Sequence, residues 1–161
     1  MYKDNKLIEY NVKDIFEKVA SQKYDLMNDI MSFGVHRLWK KYYVKLLEEL
    51  HKPNEKILDI ASGTGDIFHL LNRSKNLYAI DPISEMHSVS RKKNSKKIID
   101  YETGIVEKMS YRNNYFQMIS CTYGVRNFKD RKKAFSEIER CLKKNGYFLF
   151  MEFGTPKREL L

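Results

Sequence analysis

The chain has 161 residues, with 30 Lys or Arg against 21 Asp or Glu, a formal charge of 30 − 21 = +9; 42% of residues are hydrophobic and 13% aromatic. A globular chain of this size buries roughly 70% of the surface its unfolded form exposes, which excludes overall disorder. No run approaches the ~20 consecutive apolar residues of a membrane-spanning helix. We expect one domain over 1–161, divided into an N-terminal helical cap (1–51) and an α/β core (52–161).

The first residues lack a hydrophobic signal core, and Asp4, Glu9 and Asp14 come too early for an acid-poor transit peptide, so the cytoplasm is the expected compartment. Cys121 and Cys141 sit among apolar neighbours and read as buried, reduced thiols. Of the 30 cations 22 are lysines and Ala occurs four times, a composition that coding bias produces. The basic pairs, Lys40-Lys41, Arg91-Lys92-Lys93, Lys96-Lys97, Arg131-Lys132-Lys133 and Lys143-Lys144, read as solvent faces and ends of helices. They are not interleaved with stacking aromatics, so no nucleic-acid partner is expected.

In chain order, residues 13–20 read as a short helix and 28–32 as a second helix or ordered loop. From Val35 to Leu50 the apolar positions Val35, Leu38, Trp39, Tyr42, Tyr43, Leu46, Leu47 and Leu50 recur at steps of three and four, one helical stripe that ends at Pro53-Asn54. Trp39 belongs to the expected core. Then come a strand at Lys56–Ala61, a helix at Asp66–Asn72, a strand at Leu77–Ile80, a helix at Ser84–Lys93 and a strand at Ile98–Tyr101. After a loop follow a strand at Tyr115–Thr122, a helix at Asp130–Lys143 with Ala134, Phe135, Ile138 and Leu142 inward, and a strand at Tyr147–Phe153. Strands alternating with helices of about ten residues imply right-handed crossovers and a doubly wound, mainly parallel α/β sheet.

In such a sheet ligands bind beyond the carboxyl ends of the strands. After the first strand stands Asp59-Ile60-Ala61-Ser62-Gly63-Thr64-Gly65-Asp66, whose small residues let backbone approach a ligand closely. The second strand ends in Asp81, an acid placed to accept both hydrogen bonds of a ribose diol. A dinucleotide site wants a third glycine three positions after Gly65, where Phe68 stands, so a nucleoside carrying a carboxylate fits better. His51, His69 and His87 lack metal-ligand spacing and read as exposed; no metal is expected.

S-adenosylmethionine is such a nucleoside, and the Asp59–Gly65 loop with Asp81 resembles the first two motifs of class I methyltransferases. Upstream, Tyr24-Asp25-Leu26-Met27-Asn28-Asp29-Ile30-Met31-Ser32-Phe33-Gly34-Val35-His36-Arg37-Leu38-Trp39 resembles the signature Tyr-Asp-x-Met-Asn-x-x-apolar-Ser-x-x-x-His-x-x-Trp of the UbiE family, the C-methyltransferases of ubiquinone and menaquinone synthesis. Tyr123-Gly124-Val125-Arg126-Asn127 resembles the family's Phe-Gly-Leu-Arg-Asn, and Arg140–Gly146 its second signature; the likeness runs from about Phe16 to Pro156. The resemblance implies a Rossmann-like fold and methylation of a ring carbon of a polyprenyl benzoquinol or naphthoquinol. It implies cofactor contacts from Asp59, Gly63, Thr64, Gly65, Asp81, Ile105, Val106 and Thr122, and a catalytic pair Arg126 and Asn127 beside the quinol oxygens. Tyr24, Asp25, Asn28 and His36 would cap cofactor and quinol, or else fix the N-terminal helices to the sheet. Arg126 has an alternative reading as the salt-bridge partner of Asp130. The implied substrate brings an expectation of peripheral attachment at the inner membrane face, and of a homo-oligomer or contact with other quinone-synthesis proteins.

The sequence departs from the family at Ile105, where Asp or Asn usually accepts from the adenine amino group; Glu102 and Glu107 are the candidate substitutes. Ser62, Gln117, Asn145 and Gly154 also replace usual residues. Family members continue past a fifth strand with a segment over the quinol and a pair of antiparallel strands. Five strands are therefore expected here, with the terminal pair missing and the fifth strand an exposed, apolar edge. Two other readings stay open: a non-catalytic remnant serving as an interaction module, and a methyltransferase for RNA. Against the latter, the slot that would hold Asn-Pro-Pro-Tyr holds Tyr123-Gly124-Val125-Arg126.

Overall fold

The computed structural model describes residues 35–154 apart from 51, 53 and 74, so the helices expected over 13–20 and 28–32 lie outside the described residues. The elements are α1 (Val35–Leu50), β1 (Ile57–Ile60), α2 (Asp66–Leu70), β2 (Leu77–Asp81), α3 (Ser84–Lys93), β3 (Ile99–Thr103), β4 (Phe116–Thr122), α4 (Arg131–Cys141) and β5 (Leu142–Met151). Short 3-10 turns stand at Val106–Lys108 and Val125–Asn127. The five strands are all parallel, in the order β3-β2-β1-β4-β5. That is the doubly wound Rossmann-like arrangement, and strand order reverses at β1, so the crevice opens between the carboxyl ends of β1 and β4.

All four residues of β1 are buried, because both faces of the sheet are covered. With the two-residue period of a strand, Leu58 and Ile60 face one way and Ile57 and Asp59 the other. On one face Tyr43, Val44 and Leu47 of α1 and Ile67 and Phe68 of α2 pack on Ile57, Leu77, Ala79 and Met118. On the other, Ala134, Ile138 and Cys141 of α4, with Val106 and Met109, cover Leu58, Ile60, Ile80, Ile119 and Cys121. A register shift between Phe116 and Met118 breaks the alternation of β4, which is how Phe116 joins the second cluster while Met118 joins the first. Both cysteines are free and buried, and burial pushes the Cys121 thiol far above its ordinary pKa.

The stripe along α1 is rotated from the expected one. Its buried residues are His36, Lys40, Tyr43, Val44 and Leu47, whereas Leu38 and Tyr42 are exposed and Trp39 is 45% exposed. The interior accepts Lys40 because Asp66 stands opposite to pair with it, so one turn of the core face is polar. Trp39 is thus a rim residue rather than core. Lys93 and Lys97 are also partly buried: Lys93 bonds Asp66, and Lys97 Nζ donates to the Leu71 carbonyl. Phe135, expected inward, is 41% exposed and stands edge-on to Phe148 of the edge strand at 6.0 Å.

β5 begins at Leu142, directly after α4, rather than at Tyr147, because Leu142 already pairs with Phe116. Residues 143–146 then bulge, with Asn145 at φ 64 and its carbonyl accepting from Gln117 Nε2 at 2.8 Å, and the continuous ladder runs from Tyr147 to Met151. Among the described residues β5 pairs with β4 alone, and Tyr147 and Phe150 project as exposed aromatics.

Candidate functional site

The loop after β1 turns sharply because three of its five residues are left-handed: Ala61 at φ 51, Gly63 at φ 52 and Gly65 at φ 76. Gly65 is glycine for two reasons. A Cβ there would overlap Ser90 Oγ and stand 2.8 Å from Asn94 Nδ2, and the φ itself disfavours any side chain. Asn94 Nδ2 donates to the Gly65 carbonyl at 3.1 Å, tying the loop to α3. Gly63, by contrast, faces open space on its Cβ side, so its backbone is approachable from outside.

Asp81 closes the loop from the neighbouring strand. Gly63 N donates to Asp81 Oδ2 at 2.9 Å and Ile83 N to Oδ1 at 3.0 Å. Burial raises the pKa of this carboxyl, and the two backbone donors and His87 oppose the rise. His87, expected exposed, is buried on α3, where its ring packs 5.1 Å from that of Tyr101 and Thr103 Oγ1 lies 3.4 Å from Nδ1. Burial lowers its pKa.

Asp59 lies beneath the loop, fully buried, and Ser120 Oγ of β4 donates to its Oδ1. Burial pushes this carboxyl up to about 7; Ser120 and Lys40 oppose the rise, while Asp81 and Asp66 add to it. Tyr43 ties α1 to the same place, donating its hydroxyl to the Leu149 carbonyl at 2.6 Å and accepting from Cys121 N at 3.2 Å. Beside the loop Asp66 is held by two lysines, Lys40 of α1 and Lys93 of α3. Burial would raise its pKa, but the charge of Lys40 and the hydrogen bonds from both lysines hold it down at about 2. Lys93 Nζ also donates to Thr64 Oγ1 at 3.1 Å. These lysines, with His36, Arg37 and His69, line a cleft of about 400 Å³. Sequence reasoning missed this clamp, although Lys40 stands four residues after His36 on what becomes the inner face and Asp66 directly follows the loop.

Asp59, Gly63, Thr64, Gly65 and Asp81 therefore converge at the carboxyl ends of β1 and β2, with Thr122 half-buried at the end of β4. Val106 is buried in the turn after β3, while Ile105 is 42% exposed. Both acids considered in place of Ile105 already hold backbone groups, and each keeps acceptor capacity beyond these bonds. Glu102 accepts from Ser110 N at 3.2 Å and Ser110 Oγ at 2.7 Å, and Glu107 from the N–H groups of Lys129 at 2.7 Å and Asp130 at 3.2 Å. Arg126 and Asn127 are exposed on the turn after β4. Arg126 pairs with Glu152, not with Asp130: Nη1 donates to Glu152 Oε1 at 3.1 Å and the backbone N to Oε2 at 3.2 Å. Asp130 instead caps α4, accepting from Lys133 N at 3.1 Å. His36 is buried in the first turn of α1. Tyr24, Asp25 and Asn28 lie outside the described residues. Among the described residues no group of three or more His, Cys, Asp or Glu converges as a metal site. Among them also, no helix is long and apolar enough to cross a membrane.

The arrangement fits a nucleoside cofactor such as S-adenosylmethionine. Its loop backbone is open above Gly63, and Ser62 Oγ is buried with no hydrogen-bond partner, a polar atom waiting for one. Asp81, anchored through one lone pair on each oxygen, keeps others for a diol.

Comparison with known proteins agrees. The chain is similar to the putative S-adenosyl-L-methionine-dependent methyltransferase of Methanococcus maripaludis, with a TM-score of 0.69 and 22% identity over 84% of this chain and 63% of that one. It is also similar to a putative methyltransferase of Bacillus halodurans C-125, with a TM-score of 0.66 and 25% identity over 73% and 53%. These likenesses concern the fold. Among curated proteins the chain is 38% identical over 158 residues to the ubiquinone/menaquinone biosynthesis C-methyltransferase UbiE of Shewanella frigidimarina, covering 93% of this chain and 62% of the relative. It is 42% identical over 167 residues to UbiE of Wigglesworthia glossinidia brevipalpis, covering 99% and 64%. The chain thus spans somewhat less than two thirds of the length of these relatives. The model of the ubiE/COQ5 methyltransferase family matches residues 3–161, and on that match and those identities the chain belongs to this family.

Proposed function

We propose that the chain methylates a ring carbon of a polyprenyl benzoquinol or naphthoquinol, with S-adenosylmethionine as methyl donor. The observation that carries the reading is the bond from Gly63 N to Asp81 Oδ2, which locks the loop and the diol-accepting acid into one site in a chain of this family. Bound there, the cofactor supplies an electrophilic methyl group on its sulfonium. Asp81 would hold the ribose, the Gly63 backbone would lie along the amino-acid portion, and Thr122 would border the site from β4.

The protein's remaining task is to make a ring carbon nucleophilic and to hold it in line. Arg126 cannot be the base, since a guanidinium does not deprotonate in proteins. It lies half-exposed on the turn after β4 with Nη1 bonded to Glu152, and its other guanidinium N–H groups are left to face a developing phenolate. Glu152, hydrogen-bonded to Arg126, is the neighbouring carboxylate that takes the hydroxyl proton. Ionisation of that hydroxyl spreads charge onto the ring carbons. Orientation of the two reactants supplies a further ~7–11 kcal/mol.

The test is calorimetric titration with S-adenosylmethionine, followed by transfer of labelled methyl to a prenylated naphthoquinol. Micromolar binding with label in the quinol is the expected result. No heat at millimolar cofactor overturns the reading.

A further inference from the structure

Trp39 stands edge-on to Phe153, ring centroids 5.9 Å apart at 65°, and Phe153 stacks on Tyr123 at 4.7 Å and 18°. The Arg126 guanidinium lies 5.5 Å from the Phe153 ring centroid. Three rings from α1, the turn after β4 and the end of β5 thus form one strip. It begins at Arg126 and continues onto the exposed Leu38 and Tyr42 of α1. Phe153 is 55% exposed and Trp39 45%, and contiguous exposed aromatic surface bordered by charge marks a binding surface. Tyr123 is held for its place in the strip: it sits at φ 58, its N–H donates to the Met151 carbonyl at 2.8 Å and its hydroxyl to Met151 Sδ at 3.7 Å.

We propose that Trp39, Tyr123 and Phe153 form the surface that carries the isoprenoid tail of the substrate. The inference rests on the quinol reading above and assigns the tail a place. In a prenylated naphthoquinol the reacting carbon lies beside the activating hydroxyl and the tail leaves the next ring carbon. With that hydroxyl against Arg126, the first tail carbons stand one ring carbon beyond the reacting position, at the range from the guanidinium where the Phe153 ring lies. An isoprenoid chain is uncharged, flexible and rich in π bonds, so it gains from flat aromatic faces and asks for no hydrogen bonds. Directed along the strip, it reaches the apolar outer face of α1 and leaves the polar cleft of Lys40, Asp66 and Lys93 untouched.

Trp39 is the chain's one tryptophan, so its emission reports on the strip directly and independently of turnover. The full chain is titrated with farnesyl-hydroquinone, farnesol and unsubstituted hydroquinone, all below their aggregation limits, and in parallel with neutral and anionic lipid vesicles. Farnesyl-hydroquinone and farnesol are expected to shift Trp39 emission, the former binding at least tenfold more tightly than hydroquinone. Phe153→Ala, a change at an exposed position that leaves the core intact, is expected to bring the two hydroquinone affinities within about twofold. The proposal falls if neither farnesyl compound moves the emission, if Phe153→Ala leaves the tail preference intact, or if vesicles alone produce the shift. Should S-adenosylmethionine give no heat while the farnesyl probes still report at Trp39, the methyltransferase reading fails and the tail surface stands.

Discussion

Gly65 and Ser90 approach so closely that the loop after β1 and the third helix can be docked in this way only when position 65 has no side chain. Gly65→Ala is expected to cost about 2 kcal/mol or more, combining left-handed strain of ~1–2 kcal/mol with overpacking of ~1–3 kcal/mol that Ser90 partly relieves by rotating. Urea denaturation measures it. The double variant Gly65→Ala, Ser90→Ala should recover part of the loss, and an unchanged midpoint in the single variant would contradict the described packing.

Asp81→Ala is expected to lower S-adenosylmethionine affinity by tenfold or more, read by calorimetry, because hydrogen bonds to a charged group contribute ~1.5–3 kcal/mol. Asp81→Asn should fall between, since one amide oxygen still accepts while the amide nitrogen faces the donor Gly63 or Ile83. Full affinity in Asp81→Ala would move the cofactor away from the end of β2.

Arg126→Ala should separate binding from chemistry. Its ion pair with Glu152 has the arginine half exposed, and such pairs contribute ~0–1 kcal/mol, so the unfolding midpoint should hardly move. Cofactor affinity should stay within twofold while turnover falls by roughly 10–10², the loss of a charge-assisted hydrogen bond of ~1.5–3 kcal/mol. Glu152→Gln should slow turnover roughly tenfold or more with cofactor affinity unchanged, whereas a purely structural Glu152 would lower the unfolding midpoint and leave turnover per folded molecule in place.

Stability should peak in mildly acid solution. Asp59 has a folded-state value of about 7 against an ordinary 3.8, so the folded form holds a proton that the unfolded form has released, and stability falls as pH rises from about 4 to 7. Asp66 works in the opposite sense: its folded value of about 2 makes its contribution present above about 4 and lost as pH falls towards 2. Asp59→Asn, which mimics the protonated acid, should flatten the neutral limb of a denaturation-midpoint-against-pH curve by an amount on the order of a few kcal/mol. Persistence of that limb would show that another group causes it.

The strands and the loop were legible because their signals are local: apolar runs of β1 and β2, glycines at the turns, an acid at the end of β2. The face of the first helix was not. Its apolar residues describe a stripe through Leu38, Trp39 and Tyr42, yet the inner face carries His36 and Lys40, since a partner 26 residues away, Asp66, makes Lys40 tolerable inside. Arg126 illustrates the same limit. Asp130, four residues on, is the nearer acid in sequence, but the chain's return through β5 brings Glu152 closer. Short-range pattern identifies which segments are buried; charge pairing across the sheet decides how each is turned.

The outer side of the fifth strand has a consequence of another kind. Its row of backbone donors and acceptors is ordered by β4 on one side and, among the described residues, offered outward on the other, with Phe148 and Phe150 stacked along it at 5.4 Å. Hydrogen-bonding capacity of this sort does not distinguish a rightful neighbour from a copy of itself. The same row that would complete a sheet with one complementary strand can nucleate a fibre among many identical chains, so the balance between the two is set by concentration and by which strand arrives first.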